Sequence, residues 1–192
     1  MKGRDTEDKM ENGVCLYRRY LAGDDSAFDS LMDLYHDGLI LFINKLVGNY
    51  SVAEELAADT FVELLIHKKR FLGNSEFKTY LYSIGRHKAI DYIRKDARRK
   101  TVTTDEILEL ADAERIEEDY IADESKRALH RAIGKLGENS RAAVYLVFFE
   151  ELSYEETARV LGKNKKQIDN LIYRAKTALK KILTEEGSGN AR

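Results

Sequence analysis

Apolar residues recur at helical spacing along the first half of the chain and predict long amphipathic helices. One stripe consists of Phe28, Leu31, Tyr35, Leu39, Phe42 and Leu46, and the next of Ala53, Leu56, Ala57, Thr60, Phe61 and Leu64. Between them lies a turn at Gly48, after which Ser51 and Glu54 predict a capping box. A further helix begins at Phe77. The pattern predicts an all-α fold.

A second pattern, at residues 152–181, predicts two short helices joined by a tight turn. Ser153 and Glu156 have the spacing of a capping box at the start of the first helix. Gly162 is suited to end that helix in the left-handed conformation. The second helix would bury Ile168, Ile172, Ala175 and Leu179. Two helices with this turn form a helix-turn-helix, whose second helix enters the major groove of DNA.

The remaining faces of this second helix carry its candidate DNA contacts. These residues are Lys165, Lys166, Gln167, Asp169, Asn170, Tyr173, Arg174 and Lys176. Between residues 163 and 181, seven Lys or Arg residues accompany a single acid. This excess of positive charge favours a nucleic-acid surface over an ordinary helical hairpin, the alternative in which the lysines only contact water.

Charge is distributed very unevenly along a chain whose formal net charge is only −2. Residues 86–100 include seven Lys or Arg, whereas residues 105–124 include ten acids and one Arg. The first segment predicts a basic helix with a polyanion as partner. Among or near these basic residues lie Tyr80, Tyr82 and Tyr92. Their rings either stack on unpaired nucleobases or simply pack against the protein. The second segment predicts a flexible acidic linker.

Composition narrows the class of protein. Proline is absent and Cys15 is the single cysteine, which excludes an internal disulfide and a cysteine-based zinc site. The four histidines are scattered, so no metal site is predicted, and no loop has a phosphate-binding pattern or nucleophile–base pair. The sequence predicts a cytoplasmic binding protein without catalytic residues, cofactor, small-molecule substrate or membrane insertion.

Several motifs resemble, in order and spacing, those of a bacterial RNA polymerase sigma factor of the extracytoplasmic-function (ECF) type within the sigma-70 family. In the first half these motifs are GDDSAF, VAEELAADTF, FLGNSEF and YLYSIGRHKAIDYIR, and in the second half LSYEETARVLG and NLIYRAKTAL. The resemblance covers about residues 20–184. It implies a region 2-like domain at residues 12–100, an acidic linker at 101–122 and a region 4-like domain at 123–184.

The resemblance also implies roles for individual residues and partners. Polymerase docking falls on Glu54, Glu55, Asp59 and Phe61. Contact with the −10 promoter element falls on the loop Phe71, Leu72, Gly73, Asn74 and Ser75 and on Tyr80, Arg86, His87, Lys88 and Arg94. Contact with the −35 promoter element is implied for the helix-turn-helix residues named above. The partners implied are core RNA polymerase, promoter DNA and an anti-sigma factor.

Two residues depart from the family pattern on the predicted recognition helix. Asp169 and Leu171 stand where a base and an arginine are usual, which leaves the −35 sequence open. Two alternative functions also stay open. One is a helix-turn-helix regulator that acts without polymerase, which leaves the first ninety residues unexplained. The other is a sigma-like protein that sequesters a partner without reading DNA.

Overall fold

The described residues of the first half of the chain form four helices. In the computed structural model, the described residues are 12–68, 71, 73, 75–102 and 124–189. The helices of the first half are α1 (Gly13–Leu21), α2 (Ser26–Val47), α3 (Tyr50–Ile66) and α4 (Phe77–Val102). Helix α2 packs against the other three, so it is the central helix of this half.

In the second half, the described residues form four more helices, which include the predicted helix-turn-helix. These are α5 (Glu124–Gly134), α6 (Glu138–Phe148), α7 (Tyr154–Leu161) and α8 (Lys165–Gly189). Helix α8 packs on α5, α6 and α7 through a stripe that includes Ile168, Ile172 and Ala175. The predicted all-α class is confirmed, and the described residues form no strand. None of the described helices is long and apolar enough to cross a membrane.

Local signals set several of the helix boundaries, although one prediction was wrong. Ser153 and Glu156 form the predicted capping box, with the Glu156 carboxylate 2.8 Å from the Ser153 backbone nitrogen. By contrast, Ser51 lies inside α3 rather than at its start. The N-cap of α3 is Asn49, whose side-chain oxygen accepts a hydrogen bond from Val52 N at 3.1 Å. An Asn amide is as good an N-cap as a Ser hydroxyl, and here it lies two residues earlier.

The core runs without interruption through both halves. Helix α4 contacts α7, and α2 contacts α6, so each half covers apolar surface of the other. At this junction the ring of Phe42 stacks on that of Tyr145, with centroids 6.4 Å apart. Tyr82, one of the tyrosines that interleave with basic residues, is fully buried beside Phe42. Packing is therefore the role of Tyr82.

The predicted acidic linker lies almost entirely outside the described residues. Its first two positions, Thr101 and Val102, belong to the last turn of α4. Helix α5 begins at Glu124, one residue after the predicted start of the second half.

Candidate polymerase and nucleic-acid interfaces

The geometry of the helix-turn-helix is set by two backbone devices. Gly162 has φ 62° and ψ 39°, the left-handed conformation that ends α7. Helix α8 begins three residues later, at Lys165, and the side chain of the preceding Asn164 accepts from Gln167 N at 2.9 Å. The Gln167 side chain in turn accepts from Asn164 N at 2.9 Å. This reciprocal pair is a second capping box, and it fixes the first turn of α8.

All eight predicted −35 residues lie exposed on α8, because its buried stripe faces the other helices. Among the large hydrophobic residues that the structure describes, Tyr173 is the most exposed, with 72% of its surface accessible. Leu171, one of the two departures from the family pattern, is half-buried and packs against the core. It therefore contributes to packing, whereas Asp169 remains on the exposed surface.

Lys165, at the first turn of α8, forms an ion pair with Glu155 of α7 at 2.5 Å. The hydrogen bond and charge of Glu155 raise the pKa of Lys165, and Asp169 adds to this effect. In the other direction, the same hydrogen bond lowers the pKa of Glu155. Both side chains are more than half exposed, so their ion pair contributes little stability. Lys165 can therefore leave Glu155 for another anionic partner.

The loop before α4 is anchored by Phe71, whose ring lies inside an aromatic cluster. Its centroid is 5.7 Å from that of Tyr17, 5.6 Å from that of Phe77 and 5.1 Å from that of Tyr80. Tyr17 is fully buried, and burial raises its pKa to about 12. Gly73 is exposed with φ 74°, and Ser75 is half-buried. Leu72 and Asn74 lie outside the described residues.

The basic residues of α4 have different degrees of exposure. His87 and Arg94 are exposed, with Arg94 3.6 Å from Asp91 of the same helix. Lys88 is three-quarters buried and pairs with Glu63 of α3 at 3.0 Å. Arg86 is half-buried, and this burial lowers its pKa. The predicted −10 face is therefore only partly open in this structure.

The predicted docking residues on α3 divide into two groups. Glu54, Glu55 and Asp59 lie on the exposed face of the helix. Phe61 does not, since only 2% of its surface is accessible and its ring packs edge-on against Phe28. Phe61 thus faces the core, as its place in the predicted apolar stripe indicates, and its docking role stays a prediction.

Three further apolar side chains, which the sequence motifs did not single out, lie exposed on the same helix. Val62, Leu65 and Ile66 continue the face that begins with the acids, and 68% of Ile66 is accessible. The signal was present in the sequence, because the buried stripe of α3 is complete at Leu64 without these three residues. We call Glu54, Glu55, Asp59, Val62, Leu65 and Ile66 the α3 face.

No cluster of three or more potential metal ligands occurs among the described residues.

Comparisons with known proteins agree with this architecture. The family model Sigma-70 region 2 matches residues 31–99, and the model Sigma-70, region 4 matches residues 126–179. RNA polymerase sigma-H factor of Pseudomonas aeruginosa is 31% identical over 183 residues, which cover 91% of this chain and 95% of that protein. This chain belongs to the sigma-70 family of RNA polymerase sigma factors.

A second relative places the chain in the ECF group of sigma factors. ECF RNA polymerase sigma factor BldN of Streptomyces coelicolor is 35% identical over 173 residues, covering 89% of this chain but 66% of that protein. A solved structure of the sigma factor RpoE from Bartonella quintana, in complex with the anti-sigma factor NepR, has the same fold. Its TM-score is 0.66 at 23% identity, with 82% of this chain and 96% of that chain covered. Sigma factors are regulatory subunits that direct promoter-specific initiation by RNA polymerase.

The region 2 match covers nearly all of α2, α3 and α4, and the region 4 match covers α5 through most of α8. All the exposed candidate residues of this sigma factor therefore lie within the two matched regions.

We expect Phe71→Ala to destabilise this sigma factor, because the half-buried ring contacts Tyr17, Phe77 and Tyr80. A loss of about 2 kcal/mol is expected, less than for a fully buried Phe. Urea unfolding followed by circular dichroism measures it, with Phe71→Leu as the control that keeps apolar volume. An unchanged unfolding midpoint for Phe71→Ala would show that Phe71 does not anchor the loop.

Proposed function

We propose that this sigma factor reads the −35 element with α8 and contacts the melted −10 element with α4 and the loop before it. The observation that carries the proposal is the orientation of α8, whose buried isoleucine stripe leaves all eight polar or aromatic candidates exposed. A major groove admits such a helix, with its first residues closest to the bases. Lys165 is available to phosphate once it leaves Glu155, since exposed ion pairs are weak.

For the −10 element, the exposed candidates among the described residues are His87 and Arg94 on α4 and Gly73 in the loop before it. Phe71 and Tyr80 would then support the loop from below through their ring contact. The function of the loop is proposed to be capture of an unpaired base, whose extrusion costs a few kcal/mol and is offset by stacking and polar contacts.

We further propose that the α3 face docks on core RNA polymerase. Acids at one end and exposed aliphatic side chains at the other suit a partner surface that is basic and partly apolar. The α3 helix packs mainly on α2 and α4, and the residues of the α3 face are exposed among the described residues. The site of action is then the cytoplasm, and the work of the protein is binding rather than catalysis.

Reversing the charge of the α3 face should abolish polymerase binding. Glu55→Lys combined with Asp59→Lys places two bases on the surface predicted to meet a basic partner, and we expect at least a tenfold loss of affinity. The matched control is Asp29→Lys with Asp33→Lys, which reverses two acidic charges at the same spacing on exposed positions of α2. Co-purification with core polymerase measures the effect. Equal binding by the α3 variant and the wild type would contradict the docking proposal.

Substitutions on α8 should separate base contacts from phosphate contacts. Asn170→Ala is expected to cost roughly 1–3 kcal/mol at one base pair, whereas Lys166→Ala should weaken binding evenly and reduce the salt dependence. Asp169→Ala decides whether this acid reads a cytosine amino group or only repels phosphate. Binding to a library of −35 duplexes, with polymerase present, measures all three. Identical sequence preference for the three variants would contradict base reading by α8.

An anti-sigma partner is proposed for this chain as well, since the sigma factor from Bartonella quintana was solved with one. The test is to co-express this chain with the product of the adjacent gene and to measure transcription from its promoter. We expect repression at least tenfold, and the partner should remain bound through size-exclusion chromatography. Full transcription in the presence of that product would remove it as the partner.

A further inference from the structure

The side chain of a glutamate from the second half of the chain packs into the first half, where it is largely shielded from water. Glu150 follows the end of α6, where the backbone nitrogens of Phe149 and Glu150 both donate to Tyr145 O, at 3.0 and 3.1 Å. Only 10% of its side chain is accessible. The next residue, Glu151, has φ 55°, a left-handed conformation that costs a non-glycine residue about 1 kcal/mol or more. The chain therefore adopts a strained turn at the point where Glu150 enters the junction.

The surroundings of Glu150 are built from α2 and α4. Lys78 of α4 lies with its Nζ 2.7 Å from the Glu150 carboxylate and also donates to the Glu150 backbone oxygen at 2.8 Å. Burial raises the pKa of Tyr82, and the charge of the nearby Glu150 carboxylate adds to this effect. On α2, Gly38 leaves the space that the side chain occupies. A Cβ added there would lie 2.8 Å from Glu150 Oε1 and 2.6 Å from the Tyr82 hydroxyl oxygen.

We propose that Glu150 is a latch that holds regions 2 and 4 in a closed arrangement. A buried carboxylate without a partner is strongly unfavourable, so Glu150 fits the junction only when Lys78 is opposite it. The apolar contact of Phe42 with Tyr145 supplies attraction but tolerates sliding, whereas the two bonds of Lys78 to Glu150 fix one register. Thr79 and Glu156 add a longer contact of 3.5 Å beside it.

The closed arrangement covers part of the proposed −10 face. Arg86 of α4 is half-buried, and Glu138 of α6 is close enough to act electrostatically on its guanidinium. Gly162 in the turn of the helix-turn-helix also approaches it, since a Cβ there would lie 3.8 Å from Arg86 Nη1. On the other side of the junction, Glu156 and Arg159 of α7 border the same cleft as Gly73 in the −10 loop.

The closed arrangement also sets the two proposed DNA surfaces too close together, a step that rests on the proposed function. Helices α4 and α8, which carry these surfaces, both pack on α7, a helix roughly 10–12 Å across. Promoter elements centred at −10 and −35 are about 25 base pairs apart, or roughly 85 Å of B-form duplex at about 3.4 Å per step. Region 4 must therefore leave region 2 before both elements are bound. Residues 103–123 provide at most roughly 75 Å of chain for this separation.

The latch is tested by measuring the distance between the two halves in the full chain. Spin labels at Asp29→Cys and Lys180→Cys, both exposed, are placed in a Cys15→Ser background. Pulsed electron paramagnetic resonance should give one narrow, short distance for the parent chain. Glu150→Gln should add a broad population at longer distance, because it removes the charge that Lys78 binds.

Two further variants separate the latch from general loss of stability. Gly38→Ala leaves every charge in place and favours helix, yet its Cβ displaces Glu150, so it should open the chain as well. Asp24→Asn is the matched control, since it breaks a 2.6 Å ion pair with Arg19 inside the first half and should leave the distance unchanged. A broad distribution in the parent chain overturns the proposal. So does a single short distance in folded Glu150→Gln and Gly38→Ala.

A separate readout tests the masking of the −10 face. The open variants should bind a labelled single-stranded −10 oligonucleotide about tenfold more tightly, since affinity falls with the fraction of competent molecules. If the variants show longer distances but unchanged oligonucleotide affinity, Glu150 acts as a latch but does not mask the −10 face. Longer distances with no oligonucleotide binding by any variant, even with core polymerase present, would instead contradict the −10 assignment in the proposed function.

Discussion

The packing of the Glu150 carboxylate against Lys78 is the contact that relates the two halves of this sigma factor. Both charges are partly removed from water, with 27% of the Lys78 side chain and 10% of the Glu150 side chain accessible, and this cost offsets much of their attraction. The pair therefore adds little net stability. Removing only one partner is different, because the other charge is then left buried and unpaired. The pair therefore selects one relative placement of regions 2 and 4. The stability of that placement comes from apolar contacts such as Phe42 on Tyr145.

The elements that the sequence predicts best are those whose signals are local. The capping box of Ser153 with Glu156, the left-handed Gly162 and the isoleucine stripe of α8 each depend on residues within a few positions, and all three are confirmed. The α3 start was missed by two residues because Asn49 and Ser51 are both acceptable N-caps. A choice between two local signals is decided by packing, which a single helix does not reveal.

The junction between the halves could not be predicted, because its signals are not local. Glu150 lies between two phenylalanines and another glutamate, a context that indicates an exposed loop. Its burial depends on Lys78 and Gly38, both more than seventy residues away in sequence. Tyr82 was ambiguous for the same reason. An aromatic residue beside basic positions suits either stacking or packing, and only the neighbouring α2 helix decides in favour of packing.

A closed state that masks the proposed −10 face must be stable in the free protein but weak enough for a binding partner to open. A hundredfold preference for the closed arrangement corresponds to about 2.7 kcal/mol, which the docking of one domain on polymerase can readily supply. A much stronger junction would reduce the affinity for promoter DNA by the same factor that it reduces the open population. An ion pair that contributes little net stability, set within an apolar contact, meets this condition. It gives the closed state a defined geometry while leaving its free energy within reach of a binding partner.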